Sequence, residues 1–73
     1  MVLTYLQQGE SAKVLHIHNR ISERLRDIGL IEGTAVKCMQ KAPSGDPVAY
    51  LIRGAVIALR SEDSSCVEVA IRE

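Results

Sequence analysis

Ala42-Pro43-Ser44-Gly45-Asp46-Pro47, followed by Val48-Ala49-Tyr50-Leu51-Ile52 and Arg53-Gly54, is the strongest break in the chain and sets the elements on either side of it. Neither Pro43 nor Pro47 donates to a backbone ladder, and Ser44, Gly45 and Asp46 between them favour turns, so no helix crosses this segment. Val36 to Lys41 before it and Val48 to Ile52 after it read as strands, which makes the interval a wide, stiff loop between two sheet elements. Asp46 is expected to hold the turn through nearby amides, with Arg53 pairing to it across the loop base. Tyr50 reads either as half-buried core or as an anchor on the rim beside the loop. Gly54, between two apolar runs, predicts a tight hairpin or a bulge.

Working outward, Ala55 to Arg60 reads as a strand with Ile57 and Leu59 on one face, and Ser61-Glu62-Asp63-Ser64-Ser65 as a polar turn, about one turn of helix. Cys66 to Arg72 alternates cleanly and places Val67, Val69 and Ile71 inward. On the other side, Thr34 to Gln40 puts Val36 and Cys38 on one face of a strand, and Ile31-Glu32-Gly33-Thr34 is a turn. Ile21, Leu25 and Ile28, spaced four and three apart, mark one face of a short amphipathic helix near residues 20–29. Asn19 is its candidate cap, and Gly29 with Leu30 is a candidate Schellman closure. Ala12 to His18 is a strand whose apolar residues fall on both faces, a conflict that a bulge near Leu15 resolves. Leu3 and Leu6 are expected across one end of the core. Five short strands, one early helix and Gly/Pro-rich turns suggest a mainly β fold, a small, partly open barrel.

Residues 1–73 read as a single domain, near the lower size at which a hydrophobic core alone suffices. Nine basic and nine acidic side chains cancel, and two tyrosines stand without phenylalanine or tryptophan, so nucleic acid is disfavoured as a partner. The first residues have no charged leader, and no apolar run approaches the ~18 residues of a membrane span, which predicts a cytoplasmic protein. Cys38 and Cys66 lack zinc-type spacing and are expected as reduced core or near-core thiols, a disulfide being the alternative. No serine or cysteine sits in a motif with a histidine or carboxylate, so no enzyme is expected. Gly45 and Gly54 do not lead into a helix and form no phosphate cradle, and no cofactor motif is present.

Two groups carry both a functional and a plain reading. His16 and His18, two apart on a strand, project to one face and are the candidate metal ligands, alone or with a cysteine; otherwise they are two solvent-facing strand histidines. Arg20, Arg24 and Arg26, with Leu30 and Ile31 at the helix end, form either a partner-binding face or a solvated one knitted by Glu23–Arg26 and Arg24–Asp27 spacings.

Arg24-Leu25-Arg26-Asp27-Ile28-Gly29-Leu30-Ile31-Glu32-Gly33-Thr34 resembles the arginine-leucine, hydrophobic-glycine-hydrophobic and glycine-threonine signature of the ferrous iron transport protein A (FeoA) family. Ala42-Pro43 with Gly45-Asp46-Pro47 resembles its central loop, and Arg53-Gly54 with Ile57-Ala58-Leu59-Arg60 its last hairpin. In the central loop, Ser44, between Pro43 and Gly45, replaces the larger residue often seen at that position. The resemblance runs from about Leu6 to Val69 and implies an SH3-like barrel that acts, without catalysis, as a cytosolic partner of FeoB, the GTPase permease for ferrous iron. The alternative is a metal-responsive SH3-like module, such as the C-terminal module of metal-dependent repressors. Exposed strand edges leave a homodimer open.

Overall fold

The computed structural model describes residues 1–18 and 23–72, with the side chains of Glu23 and Arg24 outside the description. Five strands, β1 (Ser11–Ile17), β2 (Ala35–Lys41), β3 (Val48–Ile52), β4 (Ala55–Leu59) and β5 (Val67–Arg72), form one antiparallel sheet in the order β4-β3-β2-β1-β5. A 3₁₀ turn at Leu3–Tyr5 and two short helices, α1 (Glu23–Asp27) and α2 (Ser61–Ser64), complete the described elements. The sheet curls around its core without closing by hydrogen bonds between β4 and β5. The β5 edge is covered by the chain start: Val2 bridges Glu68, and the Val69 amide donates to the Met1 carbonyl at 2.6 Å. Among the described residues, β4 pairs with β3 alone.

The mixed apolar faces of β1 resolve as expected. The β1–β5 register slips between Val14 and His16, so Leu15 is the extra residue of a bulge. Ala12 and Val14 are buried before it and Ile17 packs on the core after it, while Leu15 turns outward. A second bulge lies at Met39, where the β2–β3 register slips between Cys38 and Gln40. The alternation of β2 did not announce it, because Val36 and Cys38 already share the buried face.

One apolar cluster joins Leu3, Leu6, Leu25, Leu30, Tyr50, Ile52, Leu59, Val67 and Val69 with the small residues between them. Tyr50 is fully buried core rather than a rim anchor. Its hydroxyl donates a long bond to the Leu3 carbonyl, 3.4 Å, and burial is the main reason its pKa is pushed up to about 12. Thiolate character at Cys38 would raise it further, whereas the Ser64 hydroxyl beside it acts the other way. Ile71 departs from the alternation. It pairs with Ala12 on the inner side of the sheet yet is 46% exposed, because β5 outruns the buried layer at its end.

Candidate partner-binding surface

The end of α1 is built by its own sequence. The Gly29 amide bonds the Arg26 carbonyl (3.0 Å) and the Leu30 amide bonds the Leu25 carbonyl (3.2 Å), the two bonds of a Schellman closure, with Gly29 at φ +102°. That closure folds Leu30 back into the core, where it is fully buried. Leu30 therefore supports the surface from beneath and offers no contact to a partner. Ile31, 44% exposed, and Arg26, exposed, do present themselves to solvent. Arg20 and the Asn19 cap lie outside the described residues, as do the Arg24 and Glu23 side chains of the expected helix pairs.

Two contacts brace this surface. Thr34, nearly buried, donates its hydroxyl to the Gly29 carbonyl at 2.8 Å. Arg53 reaches the same place from the β3–β4 turn. Arg53 (φ +49°) and Gly54 (φ +85°) are both left-handed, as a two-residue hairpin requires. The Arg53 side chain lies so close over Gly29 that a Cβ there would overlap Arg53 Cδ. The close approach needs the missing side chain as well as the positive φ.

The expected Asp46–Arg53 pair is not formed. The two residues stand at opposite ends of β3, and the cation paired with Asp46 among the described residues is Arg60, Oδ2 to Nη1 3.9 Å. Asp46 Oδ1 instead accepts from the Ser61 amide at 2.8 Å. Arg60, which only donates, occupies the cap position of α2 and leaves that amide open, so a carboxylate from the loop satisfies it. Within the loop, the Gly45 amide bonds the Ala42 carbonyl (2.7 Å), Ser44 donates to the Asp46 carbonyl (2.9 Å) and the Asp46–Pro47 peptide is cis. Pro43, Gly45 and Pro47 are exposed at its tip.

His16, in β1, and His18, just beyond its end, are both exposed, their ring centroids 4.5 Å apart and edge-on. Each ring meets a carboxylate: His16 Nδ1 stands 3.3 Å from Glu32 Oε2, and His18 Nε2 stands 3.2 Å from Glu68 Oε2. Glu32 comes from the turn after α1, and Glu68 from β5, where the Leu15 bulge sets it opposite His16. The pairing could not be read along the chain because the partners are 16 and 50 residues away. Among the described residues no group of three or more His, Cys, Asp or Glu converges as a metal site. Cys38 is buried and Cys66 partly so, and no disulfide joins them. No described helix is long and apolar enough to cross a membrane.

A five-stranded, strongly bent antiparallel sheet with a helical excursion between β1 and β2 and a one-turn helix before β5 defines a small SH3-like β-barrel domain. Residues 1–71 match the FeoA domain family, and the chain belongs to it. It is 32% identical to an "Fe(2+) transport protein A/Fe(2+) transporter FeoB fusion protein" of Porphyromonas gingivalis, over 97% of this chain but 9% of that much longer protein. The solution structure of FeoA from Chlorobium tepidum is similar at a TM-score of 0.89 and 30% identity, over 97% of this chain and 70% of the other. A crystal structure of Stenotrophomonas maltophilia FeoA complexed with zinc, described as a prokaryotic SH3 domain protein and candidate ferrous iron transport activating factor, matches at TM-score 0.82 and 28% identity over 96% and 89% of the two chains.

Proposed function

We propose that this chain is a non-enzymatic accessory of ferrous iron uptake that works in the cytoplasm by binding a FeoB-type GTPase permease. The observation that carries the reading is the Porphyromonas gingivalis relative, in which an FeoA portion and an FeoB portion share one chain. Covalent fusion holds two modules at high effective concentration, and separate chains that perform the same task need an interface instead. The arginine face of α1 with Ile31 is the proposed contact. Arg26 and Ile31 are exposed, and the Schellman closure, Thr34 and Arg53 brace the backbone that carries Ile31. Arg20 and Arg24 extend that face in the sequence. The test is a titration of the chain against full-length permease and its isolated cytosolic region, with GTP hydrolysis followed alongside. Binding is expected, with a loss of roughly tenfold or more on reversing charge at Arg20, Arg24 and Arg26. No binding to either form, with or without nucleotide, overturns the reading.

A second reading, a metal-responsive module, is favoured by one observation: both imidazoles have a carboxylate on one ring nitrogen, the arrangement that orients metal-ligating histidines. It predicts a divalent-metal-dependent rise in thermal midpoint that His16→Ala and His18→Ala each abolish.

A further inference from the structure

The outer face of the sheet segregates charge, although the chain is neutral overall. Registered pairs align Leu51, Lys37, Ser11 and Arg72 in one row across β3, β2, β1 and β5. The neighbouring row carries Ala35, Lys13 and Ala70, with Arg53 at the turn alongside. Lys13, Lys37, Arg53 and Arg72 are all exposed. Between them lies an open groove of about 460 Å³, whose lining includes Lys37, Arg53 and Arg72, the Ser11 and Thr34 side of the sheet, and Leu51. Among the described residues that line it, none is acidic. The carboxylates whose ion pairs are described turn elsewhere: Glu32 and Glu68 to the histidines, Asp46 to Arg60. Among the described side chains, none of these four cations has a carboxylate within salt-bridge distance.

We infer that this groove binds an acidic peptide segment of a partner, whose carboxylates pair with Lys37, Arg53 and Arg72. The cations suit that ligand in kind and spacing. Arg72 and Lys37 sit two strands apart, ~10 Å between backbones, a distance a short extended peptide spans between side chains. Each arginine fork can donate two parallel bonds to a carboxylate, and Leu51 offers an apolar floor to the peptide's stem. A concave, partly apolar lining favours a protruding side chain over a flat lipid surface, and the absence of exposed aromatics in the lining gives bases nothing to stack on. The inference goes beyond the permease reading, and its test contains no permease sequence.

The probe is a fluorescein-labelled oligoglutamate peptide, with oligoglutamine as control, titrated by anisotropy against the whole chain at ~20 mM and ~200 mM salt. Saturable binding at low salt that fades at high salt is expected. Lys37→Glu and Arg72→Glu should each weaken it roughly tenfold, whereas Lys41→Glu, the same charge change elsewhere on β2, should stay within about twofold. Arg72 stands at the exposed end of β5, so its variant keeps the fold and an unchanged thermal midpoint verifies this. Absence of peptide binding, equal weakening by Lys41→Glu, or tighter binding through Lys37 and Arg72 of phosphatidylglycerol vesicles or of a single-stranded oligonucleotide would each overturn the inference.

Discussion

At one end of β3, the Asp46 carboxylate accepts the open amide that begins α2; at the other, the Arg53 side chain lies across Gly29 at the end of α1. Both residues come from connections, and both fasten a short helix to the sheet. They do so by different physics. Asp46 satisfies a donor that the Arg60 cap position leaves open, so a hydrogen-bonding atom is what matters there. Arg53 exploits empty space above a left-handed glycine, so what matters there is an absent side chain. Between them sits Tyr50, whose polar atom is sealed in the core. One strand thus organises both helical connections, through a polar anchor at one end and a steric fit at the other.

The largest effect should come from the sealed middle. Tyr50 titrates near pH 10 in the unfolded chain and about 12 in the fold, so the fold holds the proton more tightly. Its contribution is fully present below pH 10 and is lost as pH rises to 12, a loss of about 2–3 kcal/mol. Urea midpoints measured across that window should fall steeply for the native chain and much less for Tyr50→Phe. Cys38, also raised chiefly by burial, adds a decline of the same sign in both proteins. Equal slopes in the two would show that the middle of β3 is not sealed.

Next comes the steric end. Gly29→Ala should cost about 2 kcal/mol, from the left-handed backbone and from displacing Arg53. In an Arg53→Ala background the cost should fall toward the backbone part alone, about 1 kcal/mol. A double-mutant cycle with no coupling would break the steric side of the comparison.

The polar end should be the mildest. Asp46→Ala is expected to cost about 1 kcal/mol, the ordinary loss of a helix cap, and Asp46→Asn clearly less because the amide oxygen still accepts from Ser61. Thermal midpoints decide between them. If Asn is as costly as Ala, charge toward Arg60 carries the anchor, contrary to expectation for an exposed pair at 3.9 Å.

Local geometry made several features legible in the chain before any tertiary contact was known. Apolar residues two apart must share a face, so the conflict within Ala12 to His18 demanded a bulge, and it falls at Leu15. A glycine after the last apolar helical position demanded a left-handed closure, and Gly29 with Leu30 makes it. The proline-flanked loop and the Arg53-Gly54 turn divided the strands where the structure divides them. Only the tertiary structure decided which distant residues meet. Asp46 and Arg53 bracket one short strand and look like a pair, but a strand holds its ends apart, which sends one to α2 and the other to α1. Leu30, assigned both to the closure and to an exposed face, serves only the closure, because the fold-back that satisfies the helix end also buries its side chain. Glu68 reaches His18, and Lys37 aligns with Arg72, through registers that the bulge and strand order set jointly. Register is a property of the assembled sheet, since each strand can slide until its neighbours and the core fix it.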